Sequence, residues 1–503
     1  MQKSVYHHQN SDIRKIFSSA KSCRKILCVP VDFAKTKHLA LICDGDGDIL
    51  KNPFPVHNSV EGAEFLTNQI LKTASRRKIP KANIFIGGED LPSYVENFLY
   101  SLVAKGFLTV RVNAKEAKTA RENSFASTDS LDLFGISKVM LDRRAVTIAR
   151  PFEVPESEQK EVYKCIGELS RSRGRIIKSK TAVSNQIYTY ADRLFPGFLD
   201  SSKSGIYPFS KASLELMKNE FSSIKIARKQ SSTLAGQLRR LGTQNPDESA
   251  AKLIALAKQA LPPNAALLAT RQRVLQPLAK QYANLDKAGK AMRVEVAIHL
   301  ASTPYAFLTS IPGISLTITG GLAGELGDPA LLPAVKSICG YGGIVPTLDQ
   351  TGGPDVPAKP KSSPRRCNRV FKHWLMQATE KINQYGPPEW KDRVIRREAG
   401  GQHVSFLSAR NFLRVSKALL CRQTTWQSPA SLAPNAGKLE RAADAEKAYR
   451  IMTTKWREVP EWQEIAFGDE TPLGRWRNLM IDLFDADLPL PRRRSKQIKK
   501  HNS

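Results

Sequence analysis

The sequence predicts an α/β domain at the N-terminus followed by largely helical regions. Between residues 26 and 48, two apolar runs rich in β-forming residues flank a polar bend and close on a DGDG turn, which predicts a β-meander. A short apolar run at 83–87, a helical periodicity at 94–102 and an alternating run at 107–112 add a strand, a helix and another strand. Beyond Pro155 the sequence is charged and helix-forming, with few strand signals.

These changes of composition and periodicity divide the 503 residues into five parts. They are an N-terminal tail (1–24), the α/β domain (25–150), a helical connector (151–305), a C-terminal domain rich in glycine turns (306–425) and a C-terminal extension with a basic tail (426–503). Within the connector, apolar residues recur at coiled-coil spacing in two runs: Leu214, Met217, Phe221 and Ile224, then Leu234, Leu238 and Leu241. The register slips between the two runs, so a dimeric coiled coil and helices packed within one chain are both compatible with the pattern.

The composition favours a polyanionic partner. There are 77 Lys+Arg against 47 Asp+Glu, a formal net charge of +30, which is typical of a nucleic-acid-binding protein. No uninterrupted apolar run reaches the roughly 18 residues of a membrane span, and the first residues lack a signal-peptide pattern, so we expect no membrane association and a cytoplasmic location. The seven cysteines are scattered without a CxxC pair, which favours neither a zinc site nor a disulfide framework.

Four acidic residues are candidates for metal binding. Asp32 ends the first apolar strand, Glu89 follows the third, and Asp129 and Asp132 share a helical spacing of i, i+3. Each alone is more typical of a turn or a helix cap. An RNase H-like sheet, however, brings such carboxylates together to hold two divalent cations about 4 Å apart for phosphodiester chemistry. Carboxylate oxygens suit Mg²⁺, and they also accept Mn²⁺.

Five blocks of sequence carry a family resemblance over about residues 25–150 and 300–425. They read VDFAKTKHLALICD, IGGEDLPSYVENFL, VRVNAKEAKTARENSFASTDSLDLFGISKV, SIPGISLTITGGLAGELGDP and CGYGGIVPTLDQTGG. In their order and spacing they resemble the DEDD-type transposases of the insertion-sequence family numbered one hundred and ten. The resemblance implies a RuvC-like N-terminal domain, a helical connector, an α-helical C-terminal transposase domain and guidance by a structured bridge RNA. It assigns the acidic set to Asp32, Glu89, Asp129 and Asp132, with Asp90 as the competitor of Glu89.

The resemblance also implies a nucleophilic serine in the C-terminal domain. The matching block of this chain reads Gln350, Thr351, Gly352, Gly353, so Thr351 stands where the family places serine. A threonine hydroxyl can act as a nucleophile when it is activated, although its methyl group crowds an in-line attack. Ser362 and Ser363 are the alternative nucleophiles, and a loop hydroxyl that only caps a turn is the ordinary use of such residues.

Two further features are candidates for nucleic-acid binding. The turn IPGI at 311–314 resembles that of a helix-hairpin-helix, in which Gly313 would let a phosphate approach the backbone. A basic cluster follows the loop after residue 353 and is either a binding surface or a solvated helix face: Arg365, Arg366, Asn368, Arg369, Lys372 and His373. Trp456 and Trp462 of the extension are expected in a small core rather than stacked on bases.

Taken with the resemblance, these residues predict a Mg²⁺-dependent DNA recombinase of a bacterial mobile element. The carboxylates would activate a hydroxyl from the C-terminal domain, in a site that the family completes between protomers of a dimer or tetramer. The expected partners are donor DNA, target DNA and a guide RNA. A RuvC-like nuclease that uses water as its nucleophile, and a nucleic-acid-binding protein that has lost catalysis, are the alternatives. No P-loop is present in the sequence, so nucleotide hydrolysis is not expected.

Overall fold

The computed structural model describes residues 9–89, 95–121, 129–149, 158–219, 221–344, 347–349, 359–361, 367–399, 404–429, 431–484 and 488. The chain divides into two compact units, Met1–Glu156 and Ser157–Ser503. The described part of the first unit is an α/β domain, and that of the second is helical apart from one short β-hairpin.

A mixed β-sheet forms the centre of the first unit. Its strands are β1 (Leu27–Asp32), β2 (Lys37–Asp44), β3 (Ile49–His57), β4 (Ile84–Glu89), β5 (Leu108–Val112) and β6 (Val146–Ala149). Their order across the sheet is β3-β2-β1-β4-β5-β6. β1, β4 and β5 run parallel, whereas β2, β3 and β6 are antiparallel to their neighbours. The meander expected from the sequence is present, and β3 extends it by one strand.

Helices cover both faces of this sheet. They are α1 (Ser11–Ser19), α2 (Val60–Arg77), α3 (Glu96–Ala104), α4 (Ala114–Ala120) and α5 (Asp129–Leu141). Alternate residues of β1 point to opposite faces. One set, including Val29 and Val31, is buried against α2 and α3. The other set, including Cys28, is buried against α1, α4 and α5.

Two long helices form the frame of the second unit. α6 (Glu158–Leu194) and α12 (Ala265–Ala301) each have 37 residues, and they pack along one another as an antiparallel pair. At 1.5 Å per residue each helix is about 55 Å long. Lys180 of α6 forms an ion pair with Asp286 of α12, at 2.9 Å. The pair therefore connects two separate apolar cores, one near each end.

The first of these cores belongs to a module inserted between α6 and α12, which we call the tip module (195–264). Its helices are α7 (Ser201–Ser204), α8 (Lys211–Lys218), α9 (Ser223–Ala227), α10 (Ser231–Arg240) and α11 (Pro246–Gln259). Five residues of the coiled-coil pattern are buried in this core: Leu214, Met217, Phe221, Leu234 and Leu238. The pattern therefore arises from helices packed within one chain. Its first run does not lie on one continuous helix, because α8 ends at Lys218, before Phe221 and Ile224.

The second core gathers the C-terminal half of the chain. Short 3-10 helices at Pro304–Ser310 and Pro329–Leu331 accompany α13 (Leu316–Leu326), α14 (Val335–Tyr341), β7 (Thr347–Asp349), β8 (Lys359–Lys361), α15 (Arg369–Tyr385), α16 (Pro388–Ala399), α17 (Val404–Arg422), α18 (Lys438–Trp456), α19 (Trp462–Phe467) and α20 (Pro472–Phe484). Trp456 and Trp462 are buried in the same core as α13 and α15, so they pack as expected rather than face solvent. Among the helices described, none is long and apolar enough to cross a membrane.

Candidate active site

Two of the predicted acidic residues end neighbouring parallel strands. Asp32 is the last residue of β1, and Glu89 is the last residue of β4. The pairing between these strands runs in register up to Pro30 opposite Gly87. Two residues further along both strands, that register sets Asp32 beside Glu89, at the spacing of adjacent strands, about 4.8 Å. The sheet therefore brings these two carboxylates to the same edge.

Both carboxylates also lie on the same face of the sheet. Side chains alternate along a strand, so Asp32 shares a face with Cys28, and Glu89 shares a face with Phe85. Cys28 and Phe85 belong to the core that α5 covers. Asp32 and Glu89 are each half-buried. This places the two carboxylates on the α5 side of the sheet.

The direction of α5 sets its first turn towards this edge. Asp129 is the first residue of α5, and Asp132 lies one turn later. At the other end of α5, Leu141 packs near Gly47, in the turn beyond β2 that lies beside the start of β1. Thirteen helical residues span about 18 Å, close to the length of β1, so the first turn of α5 lies towards the Asp32 end of the strand. The Asp129 backbone is described, but its side chain lies outside the described residues.

A pair of glycines makes the close approach of β4 possible. A Cβ atom on Gly87 would lie 2.4 Å from the carbonyl oxygen of Val110 in β5, and one on Gly88 would lie 2.2 Å from that of Val31 in β1. Both distances are well below van der Waals contact. The sequence IGGE is thus required by the packing of three parallel strands where the carboxylates emerge. The strand predicted from the sequence ends at Gly87 and therefore leaves out Gly88.

Arg121 is a partner of Asp132 that the sequence did not reveal. It follows the last residue of α4, and its guanidinium forms an ion pair with the Asp132 carboxylate. The two side chains are 11% and 21% exposed, so the pair is largely shielded from water. Gly135 allows this approach, because a Cβ there would lie 2.4 Å from the carbonyl oxygen of Ala117 in α4.

His38 orders the bend that follows Asp32. Its ring is fully buried and contacts Phe33 and Phe98 edge-on, at centroid distances of 5.3 and 4.5 Å. Burial lowers the pKa of His38, and the ring accepts a hydrogen bond at Nδ1 from the backbone N–H of Ala34, at 3.2 Å. A neutral imidazole therefore holds the backbone two residues beyond Asp32. The sequence carries no local signal for this role.

The predicted metal ligands are all carboxylates, and carboxylate oxygens suit a hard divalent cation. Glu89 Oε1 and Asp132 Oδ1 are both shielded from solvent. Among the described side chains, no three His, Cys, Asp or Glu residues are grouped closely enough to hold a metal ion. Since the carboxylate of Asp132 is engaged with Arg121, and the Asp129 side chain is not described, the placement of the site rests on the backbone and the strand register.

The predicted nucleophiles lie outside the described residues. So do two of the predicted nucleic-acid contacts and the competitor of Glu89. The residues concerned are Asp90, Thr351, Ser362, Ser363, Arg365 and Arg366.

Gly313 has a packing role in the second unit. Its φ is +85°, and a Cβ there would lie 2.7 Å from the carbonyl oxygen of Lys381, near the C-terminal end of α15. The turn therefore joins a 3-10 helix to α13 and packs against α15. On the side of Gly313 where a Cβ would lie, the backbone of α15 at Lys381 already occupies the space.

Asn368 is engaged within the protein. Its side-chain oxygen accepts hydrogen bonds from the backbone N–H groups of Val370 and Phe371 and so caps α15. Its Nδ2 donates to Glu325, at 2.7 Å, and to the hydroxyl of Tyr341. Glu325 is buried and receives two hydrogen bonds from Arg171 of α6, at 2.8 and 2.9 Å. Asn368 thus fixes the start of α15 to α13 and α6.

The other described members of the basic cluster face outward to different degrees. Arg369 and His373 are exposed, whereas Lys372 is half-buried with its ammonium 6.0 Å from the centre of the Phe406 ring. The Arg369 side chain is therefore accessible to a nucleic acid, whereas the Lys372 side chain packs partly against Phe406.

Two family models match this chain. A transposase model, that of the DEDD transposases of IS110, matches residues 29–196, and a model described as "Transposase IS116/IS110/IS902 family" matches residues 305–394. The chain belongs to the IS110 family of transposases. No curated protein matches it. The first match contains all four acidic residues, and the mixed sheet of the transposase is compatible with an RNase H-like domain. As a transposase, the protein acts on DNA by strand cleavage and transfer.

Proposed function

We propose that this transposase cleaves and exchanges DNA strands at a divalent-metal site formed by Asp32, Glu89, Asp129 and Asp132. The observation that carries the proposal is the register of β1 and β4, which sets Asp32 beside Glu89 on the face that α5 covers. The first turn of α5 contains Asp129 and Asp132. In this proposal it would contribute the other two carboxylates. Mg²⁺ is the expected ion, with Mn²⁺ as an accepted substitute.

Each part of the chain has a defined task in this reaction. The carboxylates of Asp32 and Glu89 lie at the edge of the sheet, and in this proposal α5 would contribute those of Asp129 and Asp132. A bound divalent cation would stabilise charge on the attacking and leaving oxygens of a phosphodiester. His38 and the pair Gly87 and Gly88 keep the strand ends in place.

The attacking group in the proposed reaction is the Thr351 hydroxyl. Its oxygen forms a bond to a DNA phosphorus while one P–O bond of the DNA breaks, and the departing DNA oxygen takes up a proton as a hydroxyl group. The phosphoester linkage to the protein retains the energy of the broken DNA phosphodiester bond. The attached DNA end can therefore be joined to a second strand. Ser362 or Ser363 would serve in the same way.

The proposed partners are those that the family resemblance of the sequence implies. They are donor and target DNA, a structured guide RNA that supplies sequence specificity, and further copies of the transposase in a dimer or tetramer, acting in the bacterial cytoplasm. The cationic charge of +30 is compatible with both nucleic acids.

A cleavage assay tests the proposal. The full chain, purified with the RNA that accompanies it, is incubated with donor and target DNA with and without Mg²⁺. Asp32→Asn and Glu89→Gln should each abolish cleavage, whereas Asp46→Asn, which changes a half-exposed acid in the β2–β3 turn, should retain it. Metal-independent cleavage, or cleavage that survives Asp32→Asn, would refute the proposed site.

A trapping experiment tests the nucleophile. A protein–DNA adduct that survives denaturation and is lost in Thr351→Ala but kept in Thr351→Ser supports the assignment. An adduct that maps to Ser362 or Ser363 moves the nucleophile. Cleavage without any adduct favours the nuclease that uses water, and DNA binding without cleavage favours a protein that has lost catalysis.

A further inference from the structure

A small cleft lies where α6, α12, α13 and α15 of the second unit meet. Six described residues line it: Ser170, Arg173, Arg293, Val296, Thr317 and Trp374. The free space inside is about 10 Å³, which is close to the least that holds one water molecule. The cleft therefore has room for a single small particle and not for a polyatomic group such as phosphate.

Two polar atoms in this cleft have no hydrogen-bond partner among the described residues. Ser170 is 6% exposed, and its hydroxyl is one of these atoms. The other is Nε of Arg173, which carries a proton that it can donate. Buried polar groups are almost always hydrogen-bonded, so two unpartnered ones in the same cleft indicate a bound particle that accepts hydrogen bonds.

The charge around the cleft is positive. Two arginines line it, and no acidic side chain does so among the described residues. Arg293 forms an ion pair with Glu458, whose side chain is 60% exposed. Arg173 is half-buried and forms no ion pair with a described residue. Burial, and secondly the charge of Arg293, lower the pKa of Arg173. A negative charge between the two guanidinium groups would offset both effects.

The first turn of α13 also favours a negative charge here. Thr317 is the second residue of this 11-residue helix, and its side chain lines the cleft. The N-terminal end of a helix carries a partial positive charge. One turn later, a Cβ on Gly320 would lie 2.3 Å from Cγ1 of Val296 and 3.6 Å from Oγ of Ser170. The glycine therefore lets α13 pack directly against α12 and α6 beside the cleft.

Size and charge together select the ligand. A water molecule would accept the free hydrogen bonds, but it would leave the two like charges uncompensated. A monatomic anion supplies the charge as well, and the partly exposed arginine side chains can move by the small difference in radius between water and chloride. We propose that this cleft binds one chloride ion, held by Ser170, Arg173 and Arg293. The ion would join α6 to α12 at the start of α13.

Thermal unfolding with matched variants tests this proposal. All six tryptophans lie between residues 374 and 476, so the intrinsic fluorescence of the full chain follows the second unit. Tm is measured in sodium chloride, sodium gluconate and sodium phosphate at equal ionic strength. Arg173→Gln removes the unpaired guanidinium. Arg175→Gln is the control, because it removes the same charge from an exposed position of α6 that does not line the cleft.

We expect chloride to raise the Tm of the wild type by about 1 to 2 °C relative to gluconate, as an anion site at about five times its Kd would do in a unit of this size. Arg175→Gln should retain this rise, and Arg173→Gln should lose it. Ser170→Ala keeps both arginines and should reduce the rise, because the ion then loses one hydrogen bond. Bromide, which replaces chloride, should give an anomalous-scattering peak in the cleft of the crystallised protein.

An equal chloride effect in the wild type and Arg173→Gln would overturn the proposal, since the effect would then be a general one of the salt. A cleft without bromide density in crystals grown at high bromide would also overturn it. A larger rise with phosphate that is lost in Arg173→Gln would show that a polyatomic anion fits. None of these measurements involves DNA cleavage, so their outcome leaves the proposed cleavage site untouched.

Discussion

Arg121 and Asp132 form a largely shielded ion pair between the end of α4 and the first turns of α5. Asp132 is one of the four carboxylates of the proposed metal site, so its negative charge has two potential partners, a guanidinium and a divalent cation. In the structure the guanidinium holds this carboxylate in place. In the proposed site, the pair would therefore link the order of α4 and α5 to the binding of the metal.

The first prediction concerns Arg121→Gln. Removing one member of a shielded pair leaves an uncompensated carboxylate, and since the pair is partly exposed we expect a loss of about 1–3 kcal/mol without divalent ions. Saturating Mg²⁺ should restore part of that stability, so the Mg²⁺-induced rise in Tm should be larger in the variant than in the wild type. Thermal unfolding of the full chain with and without Mg²⁺ measures both.

Arg144→Gln is the matched control, since Arg144 pairs with Asp142 at 2.9 Å in the same unit but is more exposed. It should lower Tm little and leave the Mg²⁺ response unchanged. If Mg²⁺ stabilises the wild type, Arg121→Gln and Arg144→Gln by equal amounts, the guanidinium does not compete with the metal.

The second prediction concerns Gly88→Ala. The new methyl group would lie 2.2 Å from the Val31 carbonyl oxygen and 2.5 Å from the Phe33 ring, so the ends of β1 and β4 must separate. Overpacking of this kind costs about 1–3 kcal/mol. Urea unfolding should show the loss, and DNA cleavage should fall because Asp32 and Glu89 are displaced. Gly174→Ala in α6, where nothing lies within 4 Å of the added atom, should be neutral or slightly stabilising.

The ends of the two strands in the proposed site were predictable from sequence, but the register between these strands was not. An apolar run that stops at Asp32, and another that stops near Glu89, are local signals. The parallel register that sets these two residues side by side depends on contacts between distant parts of the chain. The same holds for the ion pair between Arg121 and Asp132, because nothing in the local sequence distinguishes this arginine from the other cations.

Other elements were missed for identifiable reasons. β3 contains Pro53 and Pro55 and several polar residues, which argue against a strand, yet β3 lies at the edge of the sheet, where proline is tolerated. β6 is the other edge strand and has only four residues. The leucine spacing of the connector was correctly identified as helical, but it could not distinguish a seam between two chains from the core of the tip module.

The third prediction separates structure from binding in the basic cluster. Asn368→Ala removes the cap of α15 and a hydrogen bond to the buried Glu325, so we expect a loss of about 1–3 kcal/mol in unfolding free energy. The affinity of the folded fraction for DNA should remain unchanged. Arg369→Ala, at the exposed neighbouring position, should do the reverse and weaken DNA binding without a change in stability.

Chemical unfolding and fluorescence anisotropy, measured on the same preparations, separate these two effects. Asn368→Ser, which retains a capping hydroxyl, should recover part of the stability. A drop in DNA affinity for Asn368→Ala at full folding would instead place this side chain in the nucleic-acid interface.

The last prediction concerns Lys455, whose ammonium donates to the carbonyl oxygens of Thr309 and Ile311 beside the IPGI turn. Burial lowers its pKa from 10.5 to about 7. Between these two pH values the unfolded chain binds the proton that the folded chain has lost, so this residue makes stability rise with pH over that window. The slope is at most about 1.4 kcal/mol per pH unit, and the contribution is constant below the window, where both states carry the charge, and above it, where neither does.

Lys455→Met should abolish this dependence. The free energy of unfolding of the wild type relative to Lys455→Met should therefore rise by about 1 kcal/mol per unit between pH 8 and 9.5, measured by urea unfolding at each pH. Lys417→Met is the control, because Lys417 also donates to two carbonyl oxygens, those of Leu332 and Pro333, but lies nearer the surface. A difference between wild type and Lys455→Met that stays constant over this range would show that Lys455 keeps its proton in the folded transposase, with the two carbonyl oxygens compensating for burial.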